Sequence, residues 1–230
     1  MTKKLLFFSM LVCFAFSTTN TSAQVSAFNI GWNASHFFTP LKNLQNDIDN
    51  FNTTNPQMEK FYELPQWFQG LYLDYRIGSP EGGMIMGWNN KHGIAEAEGL
   101  AIGETESTLR KIKVRLNTFN WGGYFSLYRR LKMGITVDFG TFKVIKKIAP
   151  PDNFQNEDWI SHYDEKGMFT VGGTVNVSYG IPLGKTLQLR IQPYAQYAYL
   201  VSKFTYNENK YFYNPSTFGV NTFFSFLWGN

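Results

Sequence analysis

Residues 187–200 read Leu-Gln-Leu-Arg-Ile-Gln-Pro-Tyr-Ala-Gln-Tyr-Ala-Tyr-Leu, an alternation kept up for the whole stretch. Leu187, Leu189, Ile191, Pro193, Ala195, Tyr197 and Tyr199 form one row; Gln188, Arg190, Gln192, Tyr194 and Gln196 form the other. Successive side chains of a strand point to opposite faces, so this strand has one oily and one wet side. Two settings satisfy it. In a soluble sandwich the oily row packs inward, and in a membrane barrel it faces lipid while the polar row lines the interior.

The start of the chain favours export. Lys3 and Lys4 precede an apolar run from Leu5 to Phe16, and small polar residues lead to Thr21-Ser22-Ala23 before Gln24. That order predicts a secretory signal peptide over residues 1–23, cleaved after Ala23, and a single mature domain over 24–230. The apolar run is too short for a helical span, and no later run reaches that length. The one cysteine, Cys13, leaves with the leader, so the expected mature chain holds no disulfide. Of 21 Lys and Arg, Lys3 and Lys4 also leave; 19 then face 17 acidic residues, and no basic footprint for nucleic acid is expected.

Three short turn-forming clusters punctuate the mature chain, at Gly78-Ser79-Pro80-Glu81-Gly82, Arg129-Arg130-Leu131-Lys132 and Gly180-Ile181-Pro182-Leu183-Gly184-Lys185. Longer polar stretches lie between them, near 34–65, 89–107, 148–167 and 203–216. Alternating segments fill the gaps near 25–33, 66–77, 83–89, 109–129, 132–146, 168–179, 186–202 and 217–228. Several reach the roughly 9–11 residues a tilted strand needs to cross a bilayer. Short turns at one end, long loops at the other and an even strand count predict an all-β fold, an eight-stranded antiparallel up-and-down transmembrane β-barrel. Aromatics make up 18% of the chain, enough to furnish the girdles that bound such a barrel's lipid band.

The final segment alternates Phe218, Val220, Thr222, Phe224, Phe226 and Trp228 with its other row. With these residues the whole mature chain resembles the small eight-stranded outer-membrane barrels of Gram-negative bacteria typified by OmpX and the membrane domain of OmpA. The resemblance implies residence in the cell outer membrane, lipid as the surrounding partner, and a terminal strand read by the barrel-insertion machinery, although here Gly229 and Asn230 follow the last aromatic. Aromatic-rich loops and Gln24 after the cleavage site are similar to Bacteroidota members.

Carrying the alternation inward assigns Tyr72, Asp74 and Arg76, Tyr124, Ser126 and Tyr128, Thr136 and Asp138, Asn176 and Ser178, and Gln188, Arg190 and Gln192 to the lumen. An eight-stranded interior is just wide enough for side chains to fill, and charges there are tolerated when paired. Counting from the short turns brings Asp74, Arg190 and Asp138 to one level. We expect them to join as a cluster that, with Arg76 nearby, plugs the barrel. Pro193 cannot donate to a ladder, and a bulge or register shift is expected there.

In the first long loop Thr39-Pro40-Leu41 followed by Leu44, Ile48 and Phe51 predicts a short amphipathic helix, with Thr39 as N-cap, that covers the barrel mouth, lies on the outer leaflet or docks a partner. Lys111, Lys113 and Arg115 are expected on a strand extension beyond the lipid. Aromatics at Tyr206, Tyr211, Phe212 and Tyr213 mark a candidate surface contact for a protein partner. His36, His92 and His162 are placed in extracellular loops. Ser35-His36 and Ser161-His162 are adjacent pairs, with Asp158, Asp164 and Glu165 near the second, whereas the lipid A deacylase pattern puts His and Ser one residue apart on a strand. Histidine spacing gives no HxH or HxxxH metal pair, and no cofactor is implied. The leading expectation is a non-enzymatic structural or surface-interaction barrel. The alternatives are a lipid-modifying enzyme of deacylase or acyltransferase type, and a secreted lipocalin-like binder whose oily rows would face a cavity.

Overall fold

The computed structural model describes residues 25–38, 41–128, 130–163, 168–201, 204–206, 209–211 and 215–228. Its eight long strands are β1 (Val25–Phe37), β2 (Trp67–Gly78), β3 (Gly82–Gly99), β4 (Thr108–Tyr128), β5 (Leu131–Ala149), β6 (Met168–Pro182), β7 (Leu187–Leu200) and β8 (Thr217–Trp228). Each pairs antiparallel with its neighbours in sequence, and β8 pairs with β1 from Ser26↔Trp228 to Phe37↔Thr217, closing the barrel. Closure leaves none of these strands as an open edge. A two-residue strand, Ile160–Ser161, is appended to the far end of β5. No helix among the described residues is long and apolar enough to cross a membrane.

Alternation in the sequence is alternation between two solvents. In β7, Arg190, Gln192, Tyr194 and Gln196 are buried, while Ile191, Pro193, Ala195, Tyr197 and Tyr199 are exposed. The same outward row continues through Phe28, Ile30 and Trp32 of β1, Phe119, Trp121 and Phe125 of β4, Ile135 and Phe139 of β5, and Phe218, Val220, Phe224, Phe226 and Trp228 of β8. The interior carries Asn29, Asn33, Asp74, Arg76, Asn120, Asp138, Asn176, Gln192 and Asn221, each buried. This is an inside-out barrel, the reverse of the lipocalin arrangement.

The strands are not level with one another. Followed one way round, the register that starts at Asp74 passes Gly87, Asn120 and Asp138 to reach Gly172 in β6. Followed the other way it passes Asn29, Ser225 and Gln188 to reach Pro182, ten residues further along the same strand. Tilt and stagger of this kind are what close a sheet into a barrel.

Several expectations about elements change. β3 does not stop near residue 89 but runs on to Gly99, because residues 89–99 pair with 108–118 of β4. With β4 and β5, of 21 and 19 residues, it forms a wall that overshoots the other strands. The outward row of that wall turns from Phe119 and Trp121 to Lys111, Lys113 and Arg115, so the charged residues stand beyond the apolar band, as expected. Tyr128 faces outward at 64% exposure rather than into the lumen, since the β4–β5 register slips between Ser126 and Tyr128. Pro193 causes no slip: Asn176↔Tyr194 and Tyr179↔Ile191 keep the same register on either side of it.

The predicted helix is present as α1 (Lys42–Thr54). Its N-cap is Leu41, which supplies no side-chain cap, while Thr39 and Pro40 lie outside the described residues. Leu44 and Ile48, four residues apart on one face, are buried against Phe37, Phe68, Leu116, Phe142 and Leu200 at the long-loop end of the barrel. The helix caps the mouth, and β3 makes room for the Phe68 ring of the layer it covers. The inward residues of β3 there are Gly93, Ala95 and Ala97, and a Cβ on Gly93 would come within 2.8 Å of the Phe68 ring.

A candidate functional site in the barrel lumen

Asp74, Arg76, Asp138 and Arg190 are all buried inside the barrel, but they do not form the expected Asp74–Arg190–Asp138 cluster. Asp74 is paired with Arg76, two residues along the same face of β2, with Nη2 donating to Oδ2 at 2.9 Å. It also accepts from the Tyr72 hydroxyl at 2.5 Å and from the Asn29 amide. Arg76 reaches across the lumen to Gln192 Oε1 at 2.8 Å, and its guanidinium lies 5.5 Å from the Phe223 ring centroid. A buried carboxylate holding a guanidinium this way is compensated in both charge and hydrogen bonding.

Asp138 has a different solution. Oδ1 accepts from Asn120 Nδ2 at 2.5 Å and Thr136 Oγ1 at 2.8 Å, and Oδ2 from Thr174 Oγ1 at 2.5 Å and Gln196 Nε2 at 2.7 Å. Four neutral donors surround the carboxylate, one from each of β4, β5, β6 and β7. The other end of the Gln196 carboxamide accepts from Lys91 Nζ at 2.8 Å. Lys91, fully buried, also donates to Tyr194 Oη at 3.1 Å and Thr217 Oγ1 at 2.6 Å. One amide thus stands between cation and carboxylate, its dipole aligned with both. Lys91 was not anticipated; the glycines of β3 leave its inward and outward rows hard to tell apart in the sequence.

Stagger separates Asp74, Asp138 and Arg190 along the barrel axis. Heights measured from the nearest turn are equal only if the strands are parallel to the barrel axis, and here a circuit of the barrel displaces the register by ten residues. Arg190 consequently sits nearer the short-turn end than Asp74, donating to Gln188 Oε1 at 3.1 Å and Ser178 Oγ at 3.4 Å. Between these layers, Tyr72, Asn89, Asn120, Asn176, Gln192, Tyr194 and Asn221 help line a cavity of about 20 Å³, room for about one water.

The long-loop end has its own charges, outside the apolar band. The carboxyl of Glu104 is hydrogen-bonded by Arg110, which lowers it below the ordinary carboxylate range, with Thr108 adding a bond at 3.0 Å. Glu96 is lowered in the same way, chiefly by Lys111 at 2.5 Å and then by Lys60 at 3.2 Å. Burial, reinforced by Lys113 and Arg115, depresses the His92 imidazole. Phe154 and Trp159 of the β5–β6 loop cover the basic row, with Lys147 4.8 Å from the Phe154 ring and Lys113 5.7 Å from Trp159.

The three histidines have different surroundings. His36 and His92 lie on β1 and β3 rather than in loops. Ser35 is buried in the lumen with its hydroxyl 3.4 Å from Phe68 O, while its neighbour His36 points outward between Trp67 and Phe218, because adjacent strand residues face opposite ways. His162 meets Asp47 of α1 at 3.5 Å, and Tyr163 donates to the same carboxylate at 2.9 Å, tying the third long loop to the helix. Asp164 and Glu165 lie outside the described residues. Among the described residues no three His, Cys, Asp or Glu side chains gather as metal ligands would. Of the candidate surface aromatics, Tyr206 and Tyr211 fall in a short hairpin, opposite Asn209 and Phe204, and Phe212 and Tyr213 lie outside the described residues.

No protein-family model matches the sequence, and no curated protein matches it. Among solved structures the chain is similar to the attachment invasion locus protein Ail of Yersinia pestis, at 12% identity and TM-score 0.49, covering 90% of this chain and 100% of that one. It is also similar to the outer membrane protein OprG of Pseudomonas aeruginosa, at 9% identity and TM-score 0.46 over 91% of this chain and 98% of that one. The outer membrane protease OmpT of Escherichia coli follows at 7% identity and TM-score 0.33, covering 92% and 99%.

Proposed function

We propose that this protein is an integral outer-membrane barrel with a closed lumen, exported by its N-terminal leader, that serves as a structural or surface-contact module. One observation carries the reading: Trp32, Phe119, Phe139, Tyr197, Phe224 and their neighbours form a continuous exposed apolar belt around a hydrogen-bonded polar interior. A belt of that kind far exceeds the apolar patches a water-soluble monomer exposes, whereas in acyl chains it is the ordinary exterior of a spanning barrel. The belt gives way to charge where β3–β5 overshoot, which supports a reading with the long loops and α1 on the outer surface and the short turns on the periplasmic side. Lipid is then the constant partner, the terminal strand the segment offered to the insertion machinery, and the loops with Tyr206, Tyr211, Phe212 and Tyr213 the face available to a protein.

The lumen supports closure rather than conduction. A direct ion pair, a bridged Lys91–Gln196–Asp138 series and a capped apolar layer follow one another along the axis, with a one-water cavity between. Mature protein purified in detergent should migrate differently in unboiled and boiled gels, require detergent for solubility, and give no stable nanosiemens-scale channels in planar bilayers. Solubility without detergent overturns the membrane reading; stable large channels overturn the closed lumen.

A further inference from the structure

The short-turn end of the lumen holds more positive than negative charge. Arg76 and Lys132 both lie over the ring of Tyr124, the guanidinium carbon 5.9 Å and the ammonium 4.6 Å from its centroid. Arg190 donates to Ser178 Oγ at 3.4 Å, and Ser178 is the register partner of Lys132 across β5 and β6. The carboxylates facing this group are Asp74, already engaged by Arg76, Tyr72 and Asn29, and Glu81, fully exposed in the β2–β3 turn. Among the described residues Arg190 has no carboxylate within ion-pair distance. Its two contacts are neutral oxygens, and its Nε is buried without a hydrogen-bond partner. Leaving a buried, charged donor unsatisfied costs more than a typical hydrogen bond contributes, and a guanidinium fork is shaped for oxyanions. Gly180 stands against this group with no side chain of its own: a Cβ there would meet Gln188 Oε1 at 2.9 Å and the guanidinium of Arg190 at 3.6 Å. Lys132 and Gln188 are half-buried at the rim, so the group is reachable from the short-turn side.

We propose that this mouth of the lumen binds a phosphate-class oxyanion between Arg190, Lys132 and Arg76, around the ring of Tyr124. Such an anion would satisfy the free Nε and balance a cluster whose one internal carboxylate is already occupied. The geometry belongs to the lumen and holds whatever solvent the exterior meets, so its failure would leave the membrane reading intact.

The test uses mature protein folded in neutral detergent, its folding verified by gel mobility, and inorganic phosphate as the probe, followed by phosphorus NMR line width. Saturable broadening is expected, with affinity lowered about tenfold or more in Arg190→Gln and in the half-buried Lys132→Gln, the scale of one lost charged hydrogen bond. Lys185→Gln, in the neighbouring exposed turn, should bind like the parent. In phosphatidylcholine nanodiscs, added phosphatidylglycerol that displaces free phosphate would identify a lipid headgroup as the source; persistence of phosphate binding would identify the free ion. Absence of saturable broadening in the folded parent, or parent-like binding in both Arg190→Gln and Lys132→Gln, would overturn the proposal.

Discussion

Around Asp138 the interior is filled by Asn120, Thr136, Thr174, Gln196 and, one amide further, Lys91. Around Leu44, further toward the long loops, it is filled by Phe37, Phe68, Leu116, Phe142, Val144, Met168 and Leu200. The same eight strands enclose both regions. The lower one lies behind the exposed apolar belt, where the strands enclose the polar side chains and most of their hydrogen bonds go to each other. The upper one lies within the overshooting wall and beneath a helix, surroundings in which an ordinary water-excluding core is stable. The difference teaches that this barrel is two cores end to end: one held by directional hydrogen bonds that fail when a partner is removed, and one held by packing that degrades in proportion to volume lost.

The two halves should therefore break differently. Asp74→Ala leaves Arg76 buried without its carboxylate and is expected to cost about 3–5 kcal/mol, read by denaturant unfolding in detergent or lipid. Adding Arg76→Met should return a large part of that loss, because the stranded charge goes too. In the apolar half, Leu44→Ala should cost about 3 kcal/mol through lost burial and the cavity left. No second truncation there should restore stability; Leu44→Ala combined with Phe142→Ala should be worse than either alone. Recovery in the apolar half, or none in the polar half, would erase the distinction.

A smaller effect belongs to the loop end. The Glu104–Arg110 pair, its side chains 29% and 10% exposed, should contribute no more than about 1 kcal/mol after solvent screening. Since folding lowers the Glu104 carboxyl below its ordinary 4.5, that contribution is present above about pH 4.5 and is lost as pH falls through the lowered value. Glu104→Gln should flatten this part of the acid limb of the stability profile and change little at neutral pH.

Most of the fold was legible because one physical signal, period-two alternation, is imposed by having different solvents on the two sides of every strand. The even strand count and the inward placement of Asp74, Arg76, Asp138 and Arg190 follow from it, while the short turns were marked by Gly and Pro clusters and the capping helix by the three- and four-residue spacing of Leu41, Leu44, Ile48 and Phe51. Partnerships inside the lumen were not legible. Which side chains meet depends on stagger, a property of the closed barrel that no single strand displays, and it separated Asp74 from Arg190 while giving Asp138 four neutral donors. β3 was misjudged for a related reason. Gly87, Gly93 and Gly99 with small Ala95 and Ala97 blur its alternation, so the sequence of its upper half carries little strand signal and does not set Lys91 inward. Tyr128 was lost to a one-residue slip that parity alone cannot foresee.

Because Cys13 lies in the expected leader, the mature chain offers a cysteine-free background for single spin labels. Labels placed in turn at residues 217–226 of β8 report, by electron paramagnetic resonance, relaxation by membrane-dissolved oxygen and by a water-soluble nickel chelate. In reconstituted vesicles, oxygen accessibility should peak at positions 218, 220, 224 and 226 and fall at 217, 221, 223 and 225, with the chelate excluded from the outward row. Strong chelate contact along positions 218–226, with oxygen showing no two-residue period, would contradict the inside-out barrel.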